Sequence, residues 1–151
     1  MNIDKTALTE KTLSLLEYPK IMESVASFSV STEAADIIKN SKPLQGEIAV
    51  ETKTKVRVIY ELKKSGEEEP REWLPSIGFL IPKIETEGTV LDLDEALAVG
   101  LFVERGMEVV NWVKKSNEKN FFSLLSDSFV INIPVEIFKI IDRDGNLRDL
   151  P

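Results

Sequence analysis

The chain has 151 residues, of which 42% are hydrophobic, and this length and composition suit one domain with one core. It contains no cysteine and no histidine, so disulfides, thiol nucleophiles, imidazole bases and the usual zinc sites are excluded. The net charge of −7 opposes a large phosphate-binding surface, because such surfaces are built from clustered Lys and Arg.

No targeting or membrane segment is evident in the sequence. The first residues are polar, and no apolar run approaches the about 18 residues that a membrane span needs. The absence of cysteine is typical of a reducing compartment. We therefore expect a cytoplasmic protein, organised as a single helical domain over residues 1–151.

Three short helices are predicted at the N-terminal end. Leu13 and Leu16 stand at helical spacing and predict the first helix over about Glu10 to Glu17. Pro19 opens the second helix and should hold Tyr18 in an extended conformation. One face of this second helix is apolar and carries Ile21, Met22, Val25 and Phe28.

The third helix is predicted over Thr32 to Lys39, and a much longer one follows over Leu44 to Lys64, where Gly66 ends it. Residues 56–60 (VRVIY) alternate as a strand would, but the helical pattern on both sides favours helix. Three adjacent glutamates, Glu67 to Glu69, then precede Pro70. Adjacent carboxylates rarely converge on one ion, so we interpret them as a solvated linker and not as a metal site.

An irregular segment comes next, and the sequence predicts that Trp73 and Leu74 fix it to the core. A helix is then expected from about Ile77 to Glu87. Pro82 lies inside it and should either kink the helix or move its start towards Ile81.

The longest predicted helix runs from about Asp92 to Lys115. Asp92 is placed to cap it, and Glu95 stands where a capping box requires an acid. One line along its surface changes from apolar to polar and comprises Leu93, Leu97, Leu101, Glu104, Glu108, Asn111 and Lys115. We therefore expect neighbours to enclose its first half and a solvated strip to follow its second half.

The C-terminal part is predicted to hold two short helices and a turn. The helices are expected over Phe121 to Ser126 and Val135 to Phe138, and Asp144-Gly145 is a common tight hairpin turn. The predicted fold class is thus all-α: an irregular helical bundle around one long central helix, with a short C-terminal β-hairpin.

Motifs for chemistry are absent from the sequence. It holds no phosphate loop, no dinucleotide fingerprint and no nucleophile elbow. Helix capping accounts for the acidic pair Asp92 and Glu95, and a solvated helix face accounts for Glu104 and Glu108. No catalytic, cofactor-binding or metal-binding residue is assigned, and we expect no enzyme activity and no cofactor in this chain.

Several other residues have two interpretations. Gly100 and Gly106 lie inside the longest helix, where close approach of another helix is preferred over a ligand site. The set Asp142, Asp144, Gly145 and Asn146 is similar to half of a calcium loop, but the later glutamate is missing, so turn chemistry is preferred. Trp73 and Trp112 suit either the core or a partner interface, and core packing is the commoner role.

Three segments together resemble a known family. Residues 10–43 contain a Leu-Glu-aromatic motif followed by Lys-Ile, formed by Leu16, Glu17, Tyr18, Lys20 and Ile21. This motif resembles the opening of the second bacterial branch of MutS-like proteins. Residues 85–104 are similar to that family's Gly-x-Val-Leu motif, which precedes an acidic, Leu-rich helix. Residues 140–149 are similar to the family's acidic hairpin with an Asp-Gly turn. The three segments stand in the family's order, whereas residues 45–75 match only in helical character.

The resemblance implies an N-terminal core segment of the lever and clamp framework, in the superfamily of DNA mismatch repair ATPases. The family's ATP and Mg sites lie downstream of the matching segment, so this chain is expected to be a fragment without ATPase motifs. The full-length protein is expected to be a homodimer acting on branched DNA, in recombination, or on stalled ribosomes. No family catalytic residue maps onto these 151 positions.

A second interpretation comes from a different class. The chain suits a free-standing helical protein-interaction module, with Trp112 and the solvated strip of the longest helix as its docking surface. A glycine-rich phosphate loop downstream in the reading frame favours the first interpretation, and a stop codon favours the second.

Overall fold

The computed structural model describes residues 10–70, 72–115 and 132–149. Helix accounts for 65% of this region, which contains seven α-helices and no strand. The helices are α1 (Glu10–Leu15), α2 (Tyr18–Ala26), α3 (Thr32–Lys39), α4 (Gly46–Lys64), α5 (Ile81–Ile84), α6 (Leu93–Lys114) and α7 (Asn132–Ile140). The prediction of a mainly helical protein is confirmed, and the predicted helix over 121–126 lies outside the described residues.

Helices α1 and α2 are separated by two residues, Leu16 and Glu17, and Glu17 has a left-handed conformation. Glu17 has φ of 52°, so the first helix ends at Leu15 and not at Glu17 as predicted. The predicted extended conformation of Tyr18 is wrong, because Tyr18 is the first residue of α2. Pro19 takes the second position, where its missing N–H removes none of the helix's own hydrogen bonds.

Helix α3 follows the prediction at both ends. The Ser31 hydroxyl accepts a hydrogen bond from the Ala34 N–H at 3.0 Å, and the helix closes at Lys39. Helix α4 ends at Lys64 as predicted and starts two residues later than predicted. Residues 56–60 are helical, so helix was the correct choice over strand there.

Pro82 determines where α5 begins. A short 3-10 helix over Gly78–Leu80 precedes α5, which starts at Ile81 with Pro82 in its second position and ends at Ile84. The second predicted effect of Pro82, a later start, is therefore the one observed. The continuation to Glu87 is wrong.

Helix α6 has the predicted capping box. The Asp92 carboxylate accepts the Glu95 N–H at 2.9 Å, and the Glu95 carboxylate accepts the Asp92 N–H at 2.8 Å. The enclosure of its first half is only partly as predicted, since Val99, Gly100 and Val103 are buried whereas Leu93 is exposed.

The polar strip along the second half of α6 lies largely in solvent. Glu108, Asn111 and Lys115 are exposed, and Glu104 is half-buried. Val113, on the opposite side of this half, is buried, and Trp112 is buried beside the strip, one turn after Glu108.

Helix α7 is longer than predicted. It begins at Asn132 and not at Val135, because Pro134 lies within the first turn, where its missing N–H is tolerated. After it, one antiparallel bridge joins Ile141 to Leu147. The predicted β-hairpin is not present as paired strands within the described ranges; the chain makes a bridged turn instead.

A hydrophobic core cluster lies where α4 meets α6. Leu62, Trp112 and Val113 are buried together, with Ile59 and Val109 packed against them. Elsewhere the described residues leave much apolar surface uncovered, since twenty large hydrophobic side chains are exposed and eight hydrophobic residues are buried, of which only Leu80 and Ile141 are fully so. Most of α4 projects away from the core, because Leu62 is its one buried residue in the region described.

Candidate interaction surface

The contact between α6 and α7 is made close by a glycine. A Cβ atom at Gly100 would stand 3.1 Å from Ile137 Cγ2 and 3.2 Å from Phe138 Cζ. Both distances are shorter than ordinary van der Waals contact, so a side chain at position 100 would require Ile137 and Phe138 to shift, and glycine lets α7 approach without that shift. Close approach of a neighbouring helix is thereby confirmed at Gly100, while the corresponding prediction for Gly106 stays a prediction.

The turn after α7 is organised by one carboxylate. Asp142 Oδ1 accepts the N–H groups of Asp144 at 2.9 Å and Asn146 at 2.8 Å. These hydrogen bonds, with those from the Asn146 side chain, hold the pKa of Asp142 below its usual range, because they favour the charged form. Gly145 has φ of 85°, a conformation that side chains rarely adopt. Turn chemistry therefore explains all four residues of the apparent half calcium loop.

Two contacts attach this turn to α6. Leu97 Cδ2 lies 3.3 Å from the Cβ position at Gly145, so the turn packs on the first half of the helix. Arg143 donates from Nε to Glu104 Oε2 at 3.3 Å and from Nη2 to Glu104 Oε1. The Arg143 guanidinium also stands 5.0 Å from the centre of the Phe138 ring.

The ion pair between Arg143 and Glu104 orients the turn more than it stabilises it. The glutamate raises the pKa of Arg143, chiefly by accepting its hydrogen bonds. The Arg143 side chain is 62% exposed, however, and solvent screens a pair of this kind. The two-point geometry is therefore its main contribution, because it fixes the guanidinium plane against α6.

The acidic pairs considered for catalysis have structural partners. Glu95 belongs to the capping box and forms an ion pair with Lys83, and these contacts lower its pKa. Glu104 is held by Arg143, and Glu108 is exposed one turn further along. In the part of the chain that the structure describes, no group of three or more acidic residues is placed to hold a metal ion.

The two tryptophans have opposite environments. Trp112 is 7% exposed, which confirms core packing and makes the predicted docking role of Trp112 wrong. Its indole N–H has no acceptor in the described ranges, and such a group costs about 1–3 kcal/mol. Trp73 is 53% exposed, so the prediction that it fixes its segment to the core is wrong. Backbone contacts hold this segment instead: the Trp73 carbonyl accepts from Arg105, and the Leu74 N–H donates to the Val30 carbonyl at 2.7 Å.

An open acidic groove of about 640 Å³ borders the second half of α6. Its lining comprises Glu68, Glu69, Pro70, Glu72, Glu108, Asn111, Trp112 and Lys115. Part of its charge is already neutralised, since Glu69 pairs with Lys63 and Glu72 pairs with Arg105. The groove is therefore a solvated depression in which ion pairs neutralise two of the four lining glutamates.

An uncovered apolar patch lies on α2 and the turn that follows it. Ile21 and Val25, four residues apart on one side of α2, are 54% and 47% exposed, and Phe28, in the turn after the helix, is 84% exposed. Ala26, on the other side, is 3% exposed. We call the set Ile21, Val25 and Phe28 the α2 face. Contiguous exposed apolar residues of this kind mark interaction sites in soluble proteins.

Two long-range side-chain contacts between helices and loops could not be predicted from the sequence. Arg143 meets Glu104 across 39 residues, and Ser76 meets Glu33 across 43 residues. No local pattern signals either pair, because the partners come together only after the helices pack. The α2 face was visible as an apolar stripe, but periodicity does not tell whether another element covers it.

No protein-family model, no curated protein sequence and no solved structure matches this chain. Among the helices in the described part of the chain, none has the length and apolarity that a membrane crossing requires.

Proposed function

We propose that this chain is a non-catalytic helical framework segment of a MutS-like DNA-binding ATPase. In the whole protein, ATP and Mg would bind outside this segment, and the remainder of the MutS-like chain would cover the α2 face. DNA or a ribosome would be engaged through the full-length assembly, expected to be a cytoplasmic homodimer, in processing branched DNA, recombination intermediates or stalled ribosomes.

One contact carries this proposal. Two of the three segments that resemble the family, residues 85–104 and 140–149, lie against each other. Leu97 packs on Gly145, and Glu104 binds Arg143. The resemblance in each segment is weak alone, but segments that are distant in sequence and adjacent in space behave as one structural unit. This supports interpreting the set as a framework piece.

The charge distribution supports an architectural role. The chain has 26 acidic and 19 basic residues, so its overall field repels phosphate. Nonspecific duplex binding draws most of its free energy from counterion release at contacted phosphates. A segment with this balance contributes position and leverage, and DNA contact belongs to other parts of the assembly.

The coding sequence downstream of Pro151 tests the proposal. We expect the reading frame to continue into a glycine-rich phosphate loop of the form GxxxxGK[ST], since the proposed ATPase needs one. Sequencing the transcript checks this directly. A stop codon immediately after Pro151 would contradict the proposal.

A second candidate function is a free-standing helical protein-interaction module. The α2 face and the exposed Trp73 favour it, because large apolar and aromatic side chains act as interface anchors. Trp112 does not serve as its anchor, since it is buried. A stop codon after Pro151, together with a partner that covers the α2 face, would favour this second candidate.

A further inference from the structure

Helices α1, α2 and α3 form an N-terminal unit of their own. Helices α2 and α3 pack closely, and α1 packs on α2. The Tyr18 hydroxyl donates to the Ser41 carbonyl at 3.3 Å, which ties the start of α2 to the segment after α3. The chain then reaches α4 through residues 40–45, which are not helical. This N-terminal unit is therefore joined to the rest by a short non-helical connection.

The N-terminal unit touches the distant segment 74–78 through a small polar contact. The Leu74 N–H donates to the Val30 carbonyl at 2.7 Å, and the Ser76 hydroxyl donates to Glu33 Oε1. The same carboxylate oxygen lies 3.6 Å from the Cβ position at Gly78. The Ser76 hydrogen bond lowers the pKa of Glu33, because it favours the charged form. Segment 74–78 thus donates one hydrogen bond to the Glu33 carboxylate of α3 and one to the Val30 carbonyl just before it.

We propose that Glu33 is a latch: its carboxylate fixes the N-terminal unit to segment 74–78, and opening of this contact releases α1–α3 as one body. The inference goes beyond the proposed function and does not depend on the family. It rests on the packing within the unit and on the position of Glu33. An articulated unit of this kind suits a framework that changes the angle between its parts.

Solvent access makes the latch reversible. Glu33 is half-buried and Ser76 is exposed, so water replaces their hydrogen bond when the contact opens. Hydrogen bonds to a charged acceptor are stronger than those between neutral groups, so the carboxylate charge holds the contact closed. The helices inside the unit retain their own backbone hydrogen bonds in the open state, because none of those bonds uses Glu33's side chain or segment 74–78.

Amide hydrogen exchange of the full chain, read by NMR, tests the latch. In Glu33→Gln, which keeps the shape and removes the charge, we expect the Leu74 amide to exchange at least about fivefold faster. Amides within α2, such as Val25, and within α6, such as Val103, should exchange at unchanged rates. Ser76→Ala, which removes one donor, should act in the same direction at Leu74.

The matched control is Asp36→Asn, which removes a carboxylate from the same helix at an exposed position. It should leave the Leu74 amide unchanged. An unchanged Leu74 rate in Glu33→Gln would overturn the latch. Faster exchange at Leu74 together with Val25 or Val103 would also overturn it, since that pattern means general unfolding and not release of one body.

Discussion

Replacing Ile141 by alanine is expected to lower the free energy of unfolding by about 2–5 kcal/mol. Ile141 is 2% exposed and stands where α7 ends and the bridged turn begins. Truncation leaves a cavity at the joint between α7 and the turn, and neighbours relax only partly into such a space. Urea denaturation followed by circular dichroism measures the loss.

Leu147→Ala provides the matched control for this prediction. Leu147 pairs with Ile141 across the same antiparallel bridge but is 64% exposed. Its truncation should change the free energy of unfolding by less than about 0.5 kcal/mol, as surface substitutions do. Equal losses for the two variants would contradict the prediction, because they would mean that Leu147 contributes as much buried packing as Ile141.

Replacing Gly100 by leucine is expected to cost about 1–3 kcal/mol through overpacking. A Cβ atom alone meets Ile137 and Phe138 at 3.1 and 3.2 Å, and the rest of a leucine side chain finds that space filled. The gain in helix propensity over glycine, about 1 kcal/mol, opposes this cost, so the expected net loss in the free energy of unfolding is up to about 2 kcal/mol. Urea denaturation again measures the result.

Asn111→Leu is the control for Gly100, because Asn111 is exposed on the same helix. It should stay within about 0.5 kcal/mol of the unchanged chain. A Gly100→Leu variant as stable as the Asn111→Leu variant would mean that α7 does not lie against α6 at this point.

Helix ends fixed by local chemistry could be predicted from the sequence. Ser31 caps α3 and Asp92 caps α6, and each side chain lies three residues from the N–H group that it binds. The choice of helix for residues 56–60 was also correct, because a strand there would have interrupted one continuous helical pattern. In each case the deciding interactions lie within a few residues.

Prolines limited the prediction of helix starts. The sequence predicted a helix that starts at Val135, just after Pro134, whereas α7 includes Pro134 in its first turn. The same tolerance places Pro19 and Pro82 in the second position of their helices. A proline early in a helix removes no internal hydrogen bond, so it marks the start only to within a few residues.

Burial was the least predictable property. Trp112 and Trp73 have the same side chain, yet one is buried and the other is exposed. The difference arises because α4 brings Leu62 against Trp112. The exposure of the α2 face likewise depends on which element packs there. Such contacts are set by tertiary packing, which helical periodicity does not encode.

Cysteine labelling tests most directly whether the rest of a longer chain covers the α2 face, as we propose. The sequence contains no cysteine, so Phe28→Cys introduces a single reactive thiol. The rate of thiol labelling is measured in residues 1–151 alone and in the product of the complete reading frame. Glu23→Cys is the control, because Glu23 is exposed on the other side of α2. If the chain is a framework segment, position 28 should label at least about tenfold more slowly in the complete product, because a covering segment restricts solvent access to it. The labelling rate at position 23 should not change. Equal labelling rates at position 28 in the two proteins would contradict the framework proposal.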